Sequence, residues 1–134
     1  QLVANGIGGS TITGWSTSTA PEYDTLGAFN VVTGIFTPLV SAAYNISINV
    51  TFTNPANDGD RTLEIYDTIS STVYSRVTIQ PTPDILLKDF LAINTNLFLS
   101  TTNPIAFRII YNSSVAGNLT VFASPSTFLS ISKN

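Results

Sequence analysis

The charged residues that can do chemistry in this chain are few, and most are carboxylates. Its 134 residues include eight Asp and Glu and five Lys and Arg, with no His, Cys or Met. Without His or Cys there is no Ser-His-Asp triad, no thiolate nucleophile and no zinc or copper site of the usual kind. Two carboxylate pairs, Glu22 with Asp24 and Glu64 with Asp67, have the residue types that glycoside hydrolysis needs, provided a cleft holds them roughly 5–10 Å apart. Neither pair lies in a distinctive motif, and both read as solvated strand or loop positions. No catalytic residue is assigned and no enzyme is expected. The loop Asn57-Asp58-Gly59-Asp60 offers oxygen donors of the kind calcium takes, which makes Asp58 and Asp60 weak metal candidates. The loop lacks the D-x-D-x-D-G spacing and a bidentate Glu, and a plain turn accounts for it equally well. No cofactor is expected.

These groups sit in a chain of unusual surface chemistry. Charged residues make up 10% of it, against roughly 25% in an ordinary soluble domain. The hydrophobic share of 43% suffices for one core. Either Ser, Thr and Asn solvate the surface, or part of it is buried against further copies; self-association is the expectation. The five basic residues, Arg61, Arg76, Lys88, Arg108 and Lys133, are scattered singly, so no patch can neutralise a run of phosphates and nucleic acid is not an expected partner. No apolar run approaches the ~20 residues of a membrane-spanning helix, so no membrane insertion is expected.

The elements that position these residues read as short strands with turn signals about every ten residues, the pattern of a sandwich or barrel. Ala43 to Thr53 is the clearest strand. Tyr44, Ile46, Ile48, Val50 and Phe52 alternate with Asn45, Ser47, Asn49 and Thr51, which puts one set in a core and the other on the opposite face. Further strands are expected over Arg61–Thr68, Val73–Gln80, Thr95–Ser100, Ile105–Tyr111, Leu119–Ala123 and Thr127–Ser132. Ile105, Phe107 and Ile109 share a face. Pro83 to Ala92 fits a short helical turn and a strand or irregular segment equally well. Gln1 to Ile12 is Gly-rich and fits an edge strand or a linker. The lone Trp15 reads first as a packing residue and second as a platform for a sugar. Four N-x-S/T sequons occur, at Asn45, Asn49, Asn112 and Asn118.

Thr33-Gly34-Ile35-Phe36, then Pro38, then Ala42-Ala43-Tyr44-Asn45-Ile46-Ser47-Ile48 resembles the signature of C1q/tumour-necrosis-factor-like heads. There a TG-x-F turn precedes a Pro-containing link and a Gly-x-Tyr-x-Phe strand. Leu97 to Ile109 is similar to the strand–turn–strand pair of such heads, with Asn103-Pro104 at the turn. Ser126 to Ile131 is similar to their last strand. Ala42 replaces the usual Gly, and Ile46 and Ile48 replace aromatics, which suits the divergent heads of bacterial, spore or viral fibres.

The resemblance implies an all-β jelly-roll sandwich of about ten antiparallel strands, C1q/TNF-like. It implies a compact homotrimer, extracellular or on a virion or spore surface, with attachment or recognition as its role and a glycan or host-surface receptor as its partner. Residues 1–14 are expected as an N-terminal segment leaving a stalk, and residues 15–134 as the single head. The expected core is Phe36, Tyr44, Ile46, Ile48, Val50, Phe52, Phe107 and Ile109. The candidates for the trimer interface are Asn45, Ser47, Asn49, Leu97, Leu99 and Phe128. No ligand-binding residue is assigned. The alternatives are a purely structural capsid or fibre protein and a carbohydrate-binding module.

Overall fold

The computed structural model of the chain describes residues 2–4, 6–15, 28–53, 59–80, 89–113, 118–121 and 127–134. Among them are eleven strands and no helix: β1 (Leu2–Ala4), β2 (Gly6–Thr11), β3 (Phe29–Asn30), β4 (Ile35–Phe36), β5 (Ala42–Thr53), β6 (Asp60–Asp67), β7 (Val73–Ile79), β8 (Asp89–Leu99), β9 (Ile105–Asn112), β10 (Asn118–Val121) and β11 (Phe128–Lys133). They form two antiparallel sheets. In the first, β5 is central: β8 bonds one edge, while β11 and β10 share the other, with β1 outside β10. The second runs β3-β4-β9-β6-β7, with β2 also on β9. This is the all-β sandwich that the strand pattern predicts.

The alternation of side chains joins the sheets. Tyr44, Ile46, Ile48, Val50 and Phe52 of β5 point inward and meet Leu63 and Ile65 of β6 and Ile105, Phe107, Ile109 and Tyr111 of β9 in one buried cluster. Phe36 is in it too, edge-on to Tyr44 with ring centroids 5.4 Å apart. The Tyr44 hydroxyl donates to the Val40 carbonyl at 2.8 Å, so the ring is held at both ends. Arg61 is also turned inward and almost wholly buried.

Pro83 to Ala92 resolves in part: Asp89 to Ala92 begin β8, an eleven-residue strand that starts well before Thr95. Pairing with eleven residues of β5, from Phe52 opposite Asp89 to Ala42 opposite Leu99, makes the strand. The N-terminal residues are strands as well. Leu2–Ala4 pairs with β10 and Gly6–Thr11 with β9, so the sheets continue across the boundary drawn at residue 14.

The Thr33-Gly34 turn closes the β3–β4 hairpin. The Asn30 side chain accepts from the amides of Val32 and Thr33, and the Gly34 amide donates to the Asn30 carbonyl at 2.7 Å. Gly34 has φ +72°, and a Cβ there would lie 2.1 Å from the Ile12 carbonyl oxygen. Gly14 has φ +67° with nothing within 4 Å of a Cβ. Gly14→Ala should therefore cost about 1 kcal/mol, the left-handed penalty alone. Gly34→Ala should cost at least about 2 kcal/mol more, because fixed backbone is in the way. Denaturant unfolding of the two variants checks this; equal losses would contradict it.

Candidate functional site

The outer face of the first sheet is built by the positions of β5, β8 and β11 that the core does not use. Register sets them in rows. Ala43 faces Phe98; Asn45 lies between Asn96 and Ser132; Ser47 between Asn94 and Ser130; Asn49 between Ala92 and Phe128; Thr51 faces Phe90. No side chain in these rows carries a charge. Phe90, Phe98 and Phe128 are 62%, 72% and 45% exposed. Three amides form a ladder at the Asn45 row: Asn96 Nδ2 donates to Asn45 Oδ1 at 2.9 Å, Asn45 Nδ2 donates to Asn134 Oδ1, and Asn134 Nδ2 donates back to Asn45 Oδ1 at 3.4 Å.

Of the residues singled out for an interface, the structure sets Asn45, Ser47, Asn49 and Phe128 on this face. Asn45 and Phe128 are exposed, while Ser47 and Asn49 are half-buried. Leu97 and Leu99 are corrected. Both fall on the inward phase of β8; Leu99 is fully buried in the core cluster and Leu97 packs against it. The outward phase belongs to Phe90, Ala92, Asn94, Asn96 and Phe98. The signal that finds them is Asn94 and Asn96 themselves, since two amides cannot share the dry phase with Leu91 and Ile93.

The carboxylates are occupied otherwise. Glu64 and Asp67 are three residues apart on one strand, hence on opposite faces. The reading of both as solvated is corrected, since each is almost wholly buried. Glu64 accepts from Arg108 Nε at 2.7 Å and pairs with Arg76 at 3.4 Å, and the Arg108 guanidinium lies 4.4 Å from the centre of the Tyr66 ring. Asp67 Oδ1 accepts from the amides of Ile69 and Ser70 at 2.7 and 2.9 Å, and its Oδ2 from Asn103 Nδ2 and the Tyr74 hydroxyl at 3.0 and 3.2 Å. The Ser70 amide and then the Asn103 side chain hold its pKa down at about 2. Burial, and then the Asp67 charge, push that of Tyr74 up. Asp60 is exposed at the start of β6, while Asp58, Glu22 and Asp24 lie outside the described residues. No three potential metal ligands come together among the described residues.

Trp15 donates from Nε1 to the Ile12 carbonyl at 3.0 Å and meets the Phe29 ring edge-on at 6.2 Å, which is packing work. A groove of about 420 Å³ beside the β3–β4 hairpin is lined by uncharged side chains such as Asn30, Thr33 and Ile35. One end of the sandwich gathers the loops after β4, after β6 and before β9. Thr68 donates to the Pro104 carbonyl, the Thr101 amide donates to Ser41, and Leu39, Val40 and Ile69 stand exposed there.

No family model and no curated protein matches this chain by sequence. Among solved structures it is similar to Eiger TNF from S. frugiperda, with a TM-score of 0.61 and 10% identity over 99% of this chain and 90% of that one. The fold is therefore the TNF/C1q-like jelly roll that the Thr33–Ile48 motif resembles.

Asp67 ties the end loops to pH. An unfolded Asp titrates near 3.9, and the folded value is lowered to about 2. The stability it contributes is therefore complete above about pH 4 and is lost as pH falls towards 2. Asp67→Asn should cost about 1–3 kcal/mol at neutral pH, through the hydrogen bonds it weakens. It should also flatten the acid limb of stability between pH 4 and 2. Thermal melts across that range check it, and parallel acid limbs in the two proteins would contradict it.

Proposed function

We propose that this chain is a non-enzymatic homotrimeric head domain, carried outside the cell on a virion, spore or other surface fibre, and used for attachment or recognition. The observation that carries the reading is the outer face of the first sheet, free of charge and studded with Phe90, Phe98 and Phe128. Interface cores are depleted in charge and enriched in aromatic residues. Taking a fully exposed ring out of water is worth roughly 1.5–3 kcal/mol, and each of these rings, 45–72% exposed, contributes a part of that to the drive for a trimer. The few charges elsewhere fit a chain that covers part of its surface with copies of itself. With this face inside, the end that carries Leu39, Val40 and Ile69 stays free to meet a glycan or a host-surface receptor. The fixed loops around Asp67 suit that task, because a pre-ordered surface loses less entropy on binding.

The same phenylalanines support a second reading, a carbohydrate-binding module that stacks sugars on this face. Mass separates the two. Light scattering at micromolar concentration should give three times 14.3 kDa. Phe98→Asp should shift the protein to monomer, while Ile69→Asp, at the free end, should leave the mass unchanged. A wild-type protein that stays monomeric would overturn the trimer, and a monomer that binds glycans would establish the module.

A further inference from the structure

The centre of the proposed interface is polar. Asn96 on β8, Asn45 on β5 and Asn134, the residue after β11, form a continuous amide ladder, with a row of Asn94, Ser47 and Ser130 beneath it. Aromatic groups stand at both ends of this band: Phe98 in the row of Ala43, level with Asn134, and Phe128 and Phe90 one and two rows below the Ser47 row. A face selected for affinity alone would carry apolar side chains at its middle, where water is excluded most completely.

Each Asn amide has two donors and two acceptor positions. The ladder uses one donor of each of the three amides, and it loads the Asn45 oxygen with two bonds. No other partner occupies the remaining donors, or the Asn96 oxygen, among the described residues. In the free chain water fills them. Against a neighbouring subunit they need partners from that subunit, in fixed positions. Sliding the neighbour by one pleat, roughly 7 Å along the strands, brings a phenylalanine over the amides and leaves them unpaired. Each amide so buried weakens a wrong arrangement by about tenfold or more.

We propose that the Asn96–Asn45–Asn134 ladder determines the subunit number and register of the assembly, while the flanking phenylalanines supply its affinity. The inference rests on the trimeric reading and assigns a role within it. The physics is that of a single buried Asn in a coiled coil, which selects one oligomer and one register at a cost in stability.

The test is the double substitution Asn45→Leu with Asn96→Leu in the whole chain, followed by analytical ultracentrifugation from nanomolar to micromolar concentration. Wild type should sediment as one trimeric species. The variant should associate at least as tightly, with its midpoint moved to about tenfold lower concentration or beyond, yet spread over dimers, trimers and larger forms. A variant that sediments as a single trimer would overturn the inference and leave the trimer standing. A variant that falls apart into folded monomers would overturn it too, since the ladder would then supply affinity. A monomeric wild type would remove the trimer itself. Should the double variant fail to fold, Asn96→Leu alone is read in the same way, with circular dichroism establishing its fold.

Discussion

Strand β5 is bonded along both edges and used on both faces, and the rest of the molecule is arranged around that constraint. Its hydrogen bonds to β8 run unbroken over eleven residue pairs, and β11 and β10 occupy the other edge. A strand held this way cannot slip by one residue, because a slip would drive Tyr44, Ile46, Ile48, Val50 and Phe52 out of the core and bring Asn45, Ser47 and Asn49 into it. The period of two thus fixes the core and the outer face together. What the core takes from β8, namely Leu91, Ile93 and Leu99, leaves Phe90, Phe98 and the amides between them outside.

The second sheet has a different economy. Its buried carboxylates are all accounted for, Glu64 by two arginines and Asp67 by two amides, an Asn and a Tyr. Groups so satisfied hold structure. The ionic work of the described chain is therefore internal, in β6, its neighbours and the turn that follows. The outer face of the first sheet is left to uncharged amides, hydroxyls and rings. That division gives a scarcity of charge in the composition a place in the fold.

Much of this was legible in the sequence. The strand Tyr44–Phe52 reads directly, because its alternation is strict and its polar members are Asn, Ser and Thr. The Thr33-Gly34 turn reads from glycine, and the structure supplies the reason: a Cβ at Gly34 would strike the Ile12 carbonyl. The β8 face was less legible. Leu97 and Leu99 draw attention as large apolar residues in a short segment, and only the full strand from Asp89 shows that Phe98 has the outward phase. The roles of Glu64 and Asp67 were not legible at all. Their burial depends on Arg108, forty-four residues further along the chain, and on Asn103, thirty-six further along. No local pattern carries such pairings.

The central claim is that the outer face of the first sheet is covered by copies of this chain. Hydroxyl-radical footprinting of the intact protein at micromolar concentration tests it most directly, with mass spectrometry reading each side chain. In the single chain Phe98 is 72% exposed and Ile69 is 75% exposed, so the two start as equals in accessibility. On this account Phe90, Phe98 and Phe128 are protected severalfold relative to their reactivity in the dissociated protein, while Ile69 and Val32 react fully in both. Phenylalanines that react to the extent their single-chain exposure dictates, at every concentration, would contradict it.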